Sequence, residues 1–291
     1  MIPRSIHQIW IGPAKKPDRY MKTWYEDYVN QYPNYTYYFW DDNSINNLLN
    51  YNNDIKYIYD LEKTMFGKAD IARYLILYYF GGIYIDADSV WVNNKTLDEL
   101  IDKQDFFIGR EPTLQSRDLY ANGVMGCTRF NNKLRIILDR LESIVDIYET
   151  LRQTRQSWQL TGPYMTNILN KNNPTHRYVI AYHEISNVYT TFFDSLDNAR
   201  IYFEQLKENQ LAAILIDINT FTMIDKYGSY YADICKEFID DVYNNIYVVP
   251  SHFFYPISWV GIEDPDLHTK IKINPESFMF QYGISTNNLN Y

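Results

Sequence analysis

Hydrophobic and polar positions follow two different periods along this chain. Ile6-His7-Gln8-Ile9-Trp10-Ile11 reads as a buried strand closed by Gly12-Pro13. Met21, Trp24, Tyr25, Tyr28 and Val29 then recur at helical spacing on one face. Beyond Pro33, Tyr35 to Trp40 predicts a second strand, and Asp41-Asp42-Asn43-Ser44 offers caps for a helix through Leu48 and Leu49. Strand, helix, strand, helix in succession favours a parallel sheet and an α/β fold. Thr64 to Phe80 predicts a helix with a stripe at Met65, Ala69, Ala72, Ile76 and Tyr79, ended by Gly81. Ile83 to Asp88 follows as a strand.

The second half is less regular. Leu134, Ile137, Leu138, Leu141, Ile144, Val145 and Tyr148 predict one long helix. Thr161-Gly162-Pro163 is a turn before a short helix. Helices are expected near Asp197 to Glu208 and Tyr230 to Val242, with an apolar run from Leu211 to Ile218 and a strand from Ile246 to Val249. The tail is rich in Pro, Gly and Asn and reads as loop. No repeat, low-complexity linker or domain boundary is visible, so a single domain over residues 1–291 is expected.

Composition narrows the picture. With 46% hydrophobic and 22% charged residues, the 291-residue chain is of ordinary globular type and long enough to bury a large core. Its 29 tyrosines require many half-buried rings with wet hydroxyls. A net charge of −9 without a long basic run argues against a nucleic-acid partner. Two distant cysteines, Cys127 and Cys235, fit a reducing compartment better than a disulfide scaffold. Met1-Ile2-Pro3-Arg4-Ser5 runs straight into the first strand, leaving no room for a signal peptide or anchor. The longest apolar stretch, Tyr74 to Ile85, is broken by Gly81-Gly82 and is too short to span a membrane. A soluble, cytoplasmic protein without a transmembrane segment is expected.

The chemistry concentrates in Gly81-Gly82-Ile83-Tyr84-Ile85-Asp86-Ala87-Asp88. Strand alternation puts Tyr84, Asp86 and Asp88 on one face and Ile83, Ile85 and Ala87 on the other. Asp88 falls at the C-terminal end of the strand, where open α/β sheets bind ligands. Two carboxylates there repel unless a cation joins them, and Mg²⁺ or Mn²⁺ held by carboxylates and substrate phosphates is the usual solution. Asp-X-Asp is a short pattern, and Asp264-Pro265-Asp266 repeats it in a Pro-rich segment that reads as a solvated turn. What separates the two is that Asp86 interrupts an apolar strand, where a carboxylate is costly without compensation. Asp70 and Arg73 share a helix face three residues apart; by spacing alone they read as a surface ion pair of little worth.

The segment Gly67-Lys68-Ala69-Asp70-Ile71-Ala72-Arg73-Tyr74, followed by Gly81 to Asp88, resembles the signature of the DXD-type sugar transferases. That family includes initiating mannosyltransferases, capsule enzymes and, more distantly, the glucosylating domain of large toxins. Ile6 to Gly12 is similar to the family's first strand and Thr161-Gly162-Pro163 to a later turn. The resemblance implies a GT-A fold with a Rossmann-like, mostly parallel sheet flanked by helices, and with extra C-terminal helices and loops. It implies a nucleotide-sugar-binding core over about residues 1–165 and an acceptor-side, metal-completing part over 166–291. It further implies a UDP- or GDP-sugar donor, a glycan or other hydroxyl acceptor, Mn²⁺ or Mg²⁺, and retention of anomeric configuration. Carried over residue by residue, Trp10 stacks on the base, with Ile9, Gly12 and Gly162 also in the donor site. Asp70 and Arg73 hold sugar hydroxyls and Tyr84 lines the pocket. Asp86 contacts ribose and the metal shell, Asp88 ligates the metal, and Asn122 lies near the sugar. Relatives end in a His-rich segment with Ser-Trp. Here Phe280 to Thr286 is the best match, with Gln281 in the place of the His and Ser285 beside it on the metal side. His252 to Ser258-Trp259 is the alternative.

Two other readings stay open. The chain is a non-catalytic nucleotide-sugar binder that lost the C-terminal His. Otherwise Tyr84 to Val90 is the nucleophile strand of an aspartate-based phosphohydrolase, although that motif usually opens its domain.

Overall fold

Local signals place the elements that build the site. The Asp41 carboxylate caps the helix Asp42–Leu49 through the Ser44 N–H, 2.9 Å. Thr64 caps the helix Met65–Phe80 through the Gly67 N–H, 3.1 Å. Gly81, at φ +64°, ends it and bonds back to the Leu77 carbonyl at 2.8 Å. The computed structural model describes residues 1–111, 119–170, 176–244, 246–255 and 263–282.

In chain order the strands of the first half are β1 (Ser5–Ile9), β2 (Thr36–Trp40), β3 (Gly82–Ile85), β4 (Ser89–Trp91), β5 (Phe106–Arg110) and β6 (Tyr120–Cys127). Those of the second half are β7 (Tyr178–Glu184), β8 (Asn187–Phe193), β9 (Ala212–Asp217), β10 (Thr222–Tyr227), β11 (Tyr247–Val249) and β12 (Met279–Gln281). The chain divides into two compact units, residues 1–131 with 247–291, and residues 132–246. These boundaries differ from the functional division near residue 165 that the resemblance implies.

The first unit is built on a six-stranded sheet in the order β11-β5-β6-β3-β1-β2. β1 pairs in parallel with β2 and β3, and β11 with β5, while β6 runs antiparallel between β3 and β5. This is the expected α/β architecture with a mostly parallel central sheet. Close approach of β3 to β1 requires glycine. A Cβ at Gly82, φ +93°, would lie 2.0 Å from the Ser5 hydroxyl. The helix Met65–Phe80 has no stripe. Asp70 through Leu77 are all buried, whereas Met65 is 44% exposed. A helix buried all round carries apolar residues all round, so periodicity does not mark its face. Thr23–Tyr28 winds as a π-helix between two α-helical turns, on the segment read as a plain helix.

Two expectations for this unit need correction. The strand expected over Ile83 to Asp88 stops at Ile85; Asp86 leaves the sheet, and Ala87 and Asp88 form a turn. The tail expected to be loop contains β12, which pairs antiparallel with β4, Gln281 opposite Ser89. A three-residue strand has too few positions to show alternation.

The second unit holds a four-stranded antiparallel sheet in the order β10-β9-β7-β8. The apolar run from Leu211 to Ile218 is its strand β9, and β7, β8 and β10 were not foreseen. Helices Leu196–Glu208 and Ser229–Asn244 lie where expected. The long helix expected through Tyr148 ends at Glu142; a 3₁₀ turn at Val145–Ile147 and a short helix Tyr148–Leu151 follow. Cys127 and Cys235 are buried and free. Among the described residues no helix is long and apolar enough to cross a membrane.

Candidate active site

The site grows from the end of β3. Once the chain leaves that strand, its backbone is tied to neighbours on both sides. The Asp86 N–H donates to the Gly123 carbonyl on β6 at 2.9 Å. The Asp86 carbonyl accepts from Gln8 Nε2 on β1 at 3.1 Å and from the Ser89 hydroxyl at 2.6 Å. Gln8 is itself held by the Tyr37 hydroxyl, 2.9 Å from its Oε1. Asp86 and Tyr84 thus share a side without strand alternation continuing to Asp88.

The Asp86 carboxylate is gripped at both oxygens. Oδ1 accepts from the Tyr84 hydroxyl at 2.8 Å and lies 3.3 Å from Arg73 Nη2. Oδ2 accepts from Gln281 Nε2 at 2.9 Å. Arg73 Nη2 also lies 3.1 Å from Asp70 Oδ1, and Nη1 donates to the Asn122 carbonyl at 2.6 Å. Its guanidinium carbon sits 4.4 Å from the centre of the Tyr84 ring. The Asn122 amide donates to Asp70 Oδ1 at 2.8 Å and to the Tyr74 hydroxyl at 3.0 Å. Asp70, Arg73, Tyr84, Asp86, Asn122 and Gln281 are therefore one network.

This corrects the reading of Asp70 and Arg73 as a surface pair. Their side chains are 8% and 6% exposed. The helix carrying them is buried on every side over this stretch, which three-residue spacing does not reveal. Burial opposes the Arg73 charge, but Tyr84, Asp86 and Asp70 outweigh it and hold the guanidinium above its ordinary pKa. Burial also drives the Tyr84 and Tyr255 hydroxyls well above the usual tyrosine range, so both remain protonated donors.

The other expected residues sit as follows. Asp88 is half-buried in the turn, and its carbonyl accepts from the Tyr282 N–H at 3.1 Å. Trp10 lies just past the end of β1, half-buried, with its indole N–H donated to the Ala14 carbonyl at 2.9 Å. Ile9 is buried in β1, and Gly12, at φ +81°, donates its N–H to the Asp42 carboxylate at 3.0 Å. Gly162 belongs to the second unit, where it precedes the short helix Pro163–Thr166. Ser285 and the alternative Ser258-Trp259 lie outside the described residues. His7 is a buried structural histidine. Trp40 Nε1 donates to its Nδ1 at 3.2 Å, and its Nε2 meets the Gly81 carbonyl at 2.9 Å. His252 faces Glu276 at 3.1 Å on the surface.

Sequence reasoning missed four participants. Tyr74 lies one turn beyond Asp70, a spacing that pointed to it. Gln8 is a polar side chain in an apolar strand, the same signal that singled out Asp86. Gly123 and Tyr255 left no local signal. A Cβ at Gly123 would fall 2.6 Å from Asp86 Oδ2, 3.0 Å from the Tyr255 hydroxyl and 3.2 Å from Gln281 Oε1, so any side chain there would crowd the site.

The donor set suits a hard cation. Asp86 and Asp88 offer carboxylate oxygens, and Gln281 Oε1 is buried without a hydrogen-bond partner among the described residues. An orphaned amide oxygen beside a carboxylate is costly unless something electropositive meets it. Among the described residues no group of three or more His, Cys, Asp or Glu could enclose a metal.

Residues 17–107 match the family described as the glycosyltransferase sugar-binding region containing the DXD motif. The matched stretch covers less than half of the chain. It includes Asp70, Arg73, Tyr84, Asp86 and Asp88 and leaves Trp10, Asn122 and Gln281 outside. A glycosyltransferase of Acanthamoeba polyphaga mimivirus is 35% identical over 128 residues, 43% of this chain and 50% of its own length. Inositol phosphoceramide mannosyltransferase 1 of Schizosaccharomyces pombe is 32% identical over 130 residues, 41% of this chain and 38% of its own length. The chain thus spans at most half the length of these curated relatives. Among solved structures it is similar to the PaToxG glycosyltransferase, with a TM-score of 0.45, 18% identity, and 84% and 86% of the two chains covered.

Proposed function

We propose that the protein is a retaining hexosyltransferase of GT-A type, moving a sugar from a UDP- or GDP-sugar to a hydroxyl of a glycan or other acceptor. The observation that carries this reading is the Asp86 carboxylate, fixed at the end of β3 by Arg73, Tyr84 and Gln281, one residue from Asp88 and inside the sugar-binding region. Asp88 and Asp86 would hold Mn²⁺ or Mg²⁺, with Gln281 Oε1 turned to the same side. A bound cation of this kind offsets charge on a diphosphate leaving group. Arg73 aligns Asp70 and Asp86, and with Asp70 it holds donor sugar hydroxyls. Tyr84 stays protonated and donates to Asp86, and Tyr255 stays protonated. Trp10 stacks on the base. Residues 1–165 serve the donor, and 166–291 serve the acceptor and complete the metal site. Two free buried cysteines support a reducing, cytoplasmic setting.

Thermal melting with UDP- and GDP-sugars, with and without Mn²⁺, tests the reading, because a bound donor stabilises the folded chain. A metal-dependent rise that Asp88→Asn abolishes is expected. The absence of any shift across the panel would overturn it. One observation favours a second reading, a donor binder without turnover: both Asp86 oxygens already accept hydrogen bonds from the chain. Donor binding with no transfer or hydrolysis for any sugar would establish that reading, and phosphatase activity independent of nucleotide-sugar would displace both.

A further inference from the structure

The second unit carries a pocket that the glycosyl-transfer reading does not use. It encloses about 210 Å³ and is bounded by Arg140, Arg155, Gln159, Tyr164, His176 and Asp194. All six belong to the unit Asn132–Ile246. At ~30 Å³ per water molecule this space holds several waters, or an oxyanion with a small organic substituent.

Its charges are not balanced. Arg140, on the helix Asn132–Glu142, donates to the Ser143 hydroxyl at 3.1 Å. Neither Arg140 nor Arg155 makes a side-chain ion pair among the described residues. Asp194, the carboxylate of the pocket, is taken up by His176 Nδ1 at 2.9 Å. Desolvation holds the Arg140 guanidinium down at about 10, with Asp194 opposing and Arg155 adding. Desolvation, with Arg140 next among the charges, pushes His176 down to about 4. The pocket thus sets two guanidinium groups beside one carboxylate and an imidazole that burial holds neutral. Asp194 is the one carboxylate set against the two guanidinium groups, and His176 already engages it, so an anion between the two would offset the remaining charge.

We infer that this pocket binds a small oxyanion of the phosphate class, clamped between Arg140 and Arg155. Planar guanidinium forks match the paired oxygens of a phosphate, and Gln159 and Tyr164 supply further polar contacts at the wall. Asp194 opposes the ligand and so sets its affinity. The inference is independent of the network around Asp86, which lies in the other unit.

The test is calorimetric titration of the full chain with inorganic phosphate, without divalent metal and at constant ionic strength. Sulfate and acetate serve as comparison anions. Phosphate should bind, Arg140→Gln and Arg155→Gln should each weaken it by roughly tenfold or more, and Asp194→Asn should tighten it. Arg155 is exposed, so Arg155→Gln still decides the matter if Arg140→Gln fails to fold. Phosphate affinity unchanged in the arginine variants, or no binding by the parent chain, would overturn the inference. A chain that binds nucleotide-sugar but not phosphate would refute it and leave the proposed function standing.

Discussion

Asp86-Ala87-Asp88 and Asp264-Pro265-Asp266 have the same spacing and opposite surroundings. The first ends a buried strand, and its leading carboxylate accepts from Tyr84 and Gln281 beside a buried Arg73. The second lies on the surface. Asp264 pairs with Lys270 at 2.7 Å, and Asp266 pairs with Arg19 at 2.7 Å, both with partly exposed side chains. Exposed pairs of that kind are screened by water and contribute little. A pair of carboxylates becomes a candidate site when the fold desolvates it and orients it, and the three-residue pattern carries neither property.

Substitutions at the two copies sharpen this contrast. Asp88→Asn should lower metal-dependent transfer on the order of a hundredfold or more, the scale of losing a group that stabilises developing charge. Steady-state rates with Mn²⁺ measure it, and a rate near the parent's would break the contrast. Arg73→Leu should cost about 3–5 kcal/mol of stability, because it leaves buried carboxylates without their cation. Urea unfolding reads that loss directly, and a neutral result would mean the network is not desolvated. Trp10→Ala should weaken donor binding by about 1–3 kcal/mol, the scale of base stacking. Calorimetry with the preferred donor checks it, and unchanged affinity would remove Trp10 from the site.

A fourth expectation concerns pH. His7, buried behind β3 and pushed down to about 4, stays neutral in the folded chain and titrates near 6.5 when unfolded. Between those values the unfolded state binds more protons, so stability is full above about pH 6.5 and falls as pH drops toward 4. The slope is at most about 1.4 kcal/mol per pH unit for each such histidine. His176, also pushed down to about 4, loses stability in the same window. Urea midpoints measured from pH 7 to 4.5 should decline, and a flat profile would contradict the burial of both rings. The smallest effect is expected at the second motif copy. Asp264→Asn and Asp266→Asn should leave stability close to the parent's and transfer unchanged.

Much of the first unit was legible. β1, β2, the capped helix Asp42–Leu49 and the helix ended by Gly81 carry local signals, because caps, glycine stops and short-range periodicity are properties of adjacent residues. The types and order of Asp70, Arg73, Tyr84, Asp86 and Asp88 were enough to suggest a sugar-transferase signature. The second unit was less legible. The turn between β7 and β8 passes through Ile185 at φ +58°, a conformation that side chain does not advertise.

By itself, then, the sequence determined which side chains are present for chemistry and most of the elements that carry them. Tertiary structure decided which of those groups act together. Asp70 and Arg73 became a buried pair because their helix is enclosed on all sides. Asp86 became a candidate site because β1, β3 and β6 fix its backbone from both sides. Gln281, 195 positions away in the chain, reached it only because β12 pairs with β4. Contacts between distant strands are set by long-range pairing, which no local window of residues encodes.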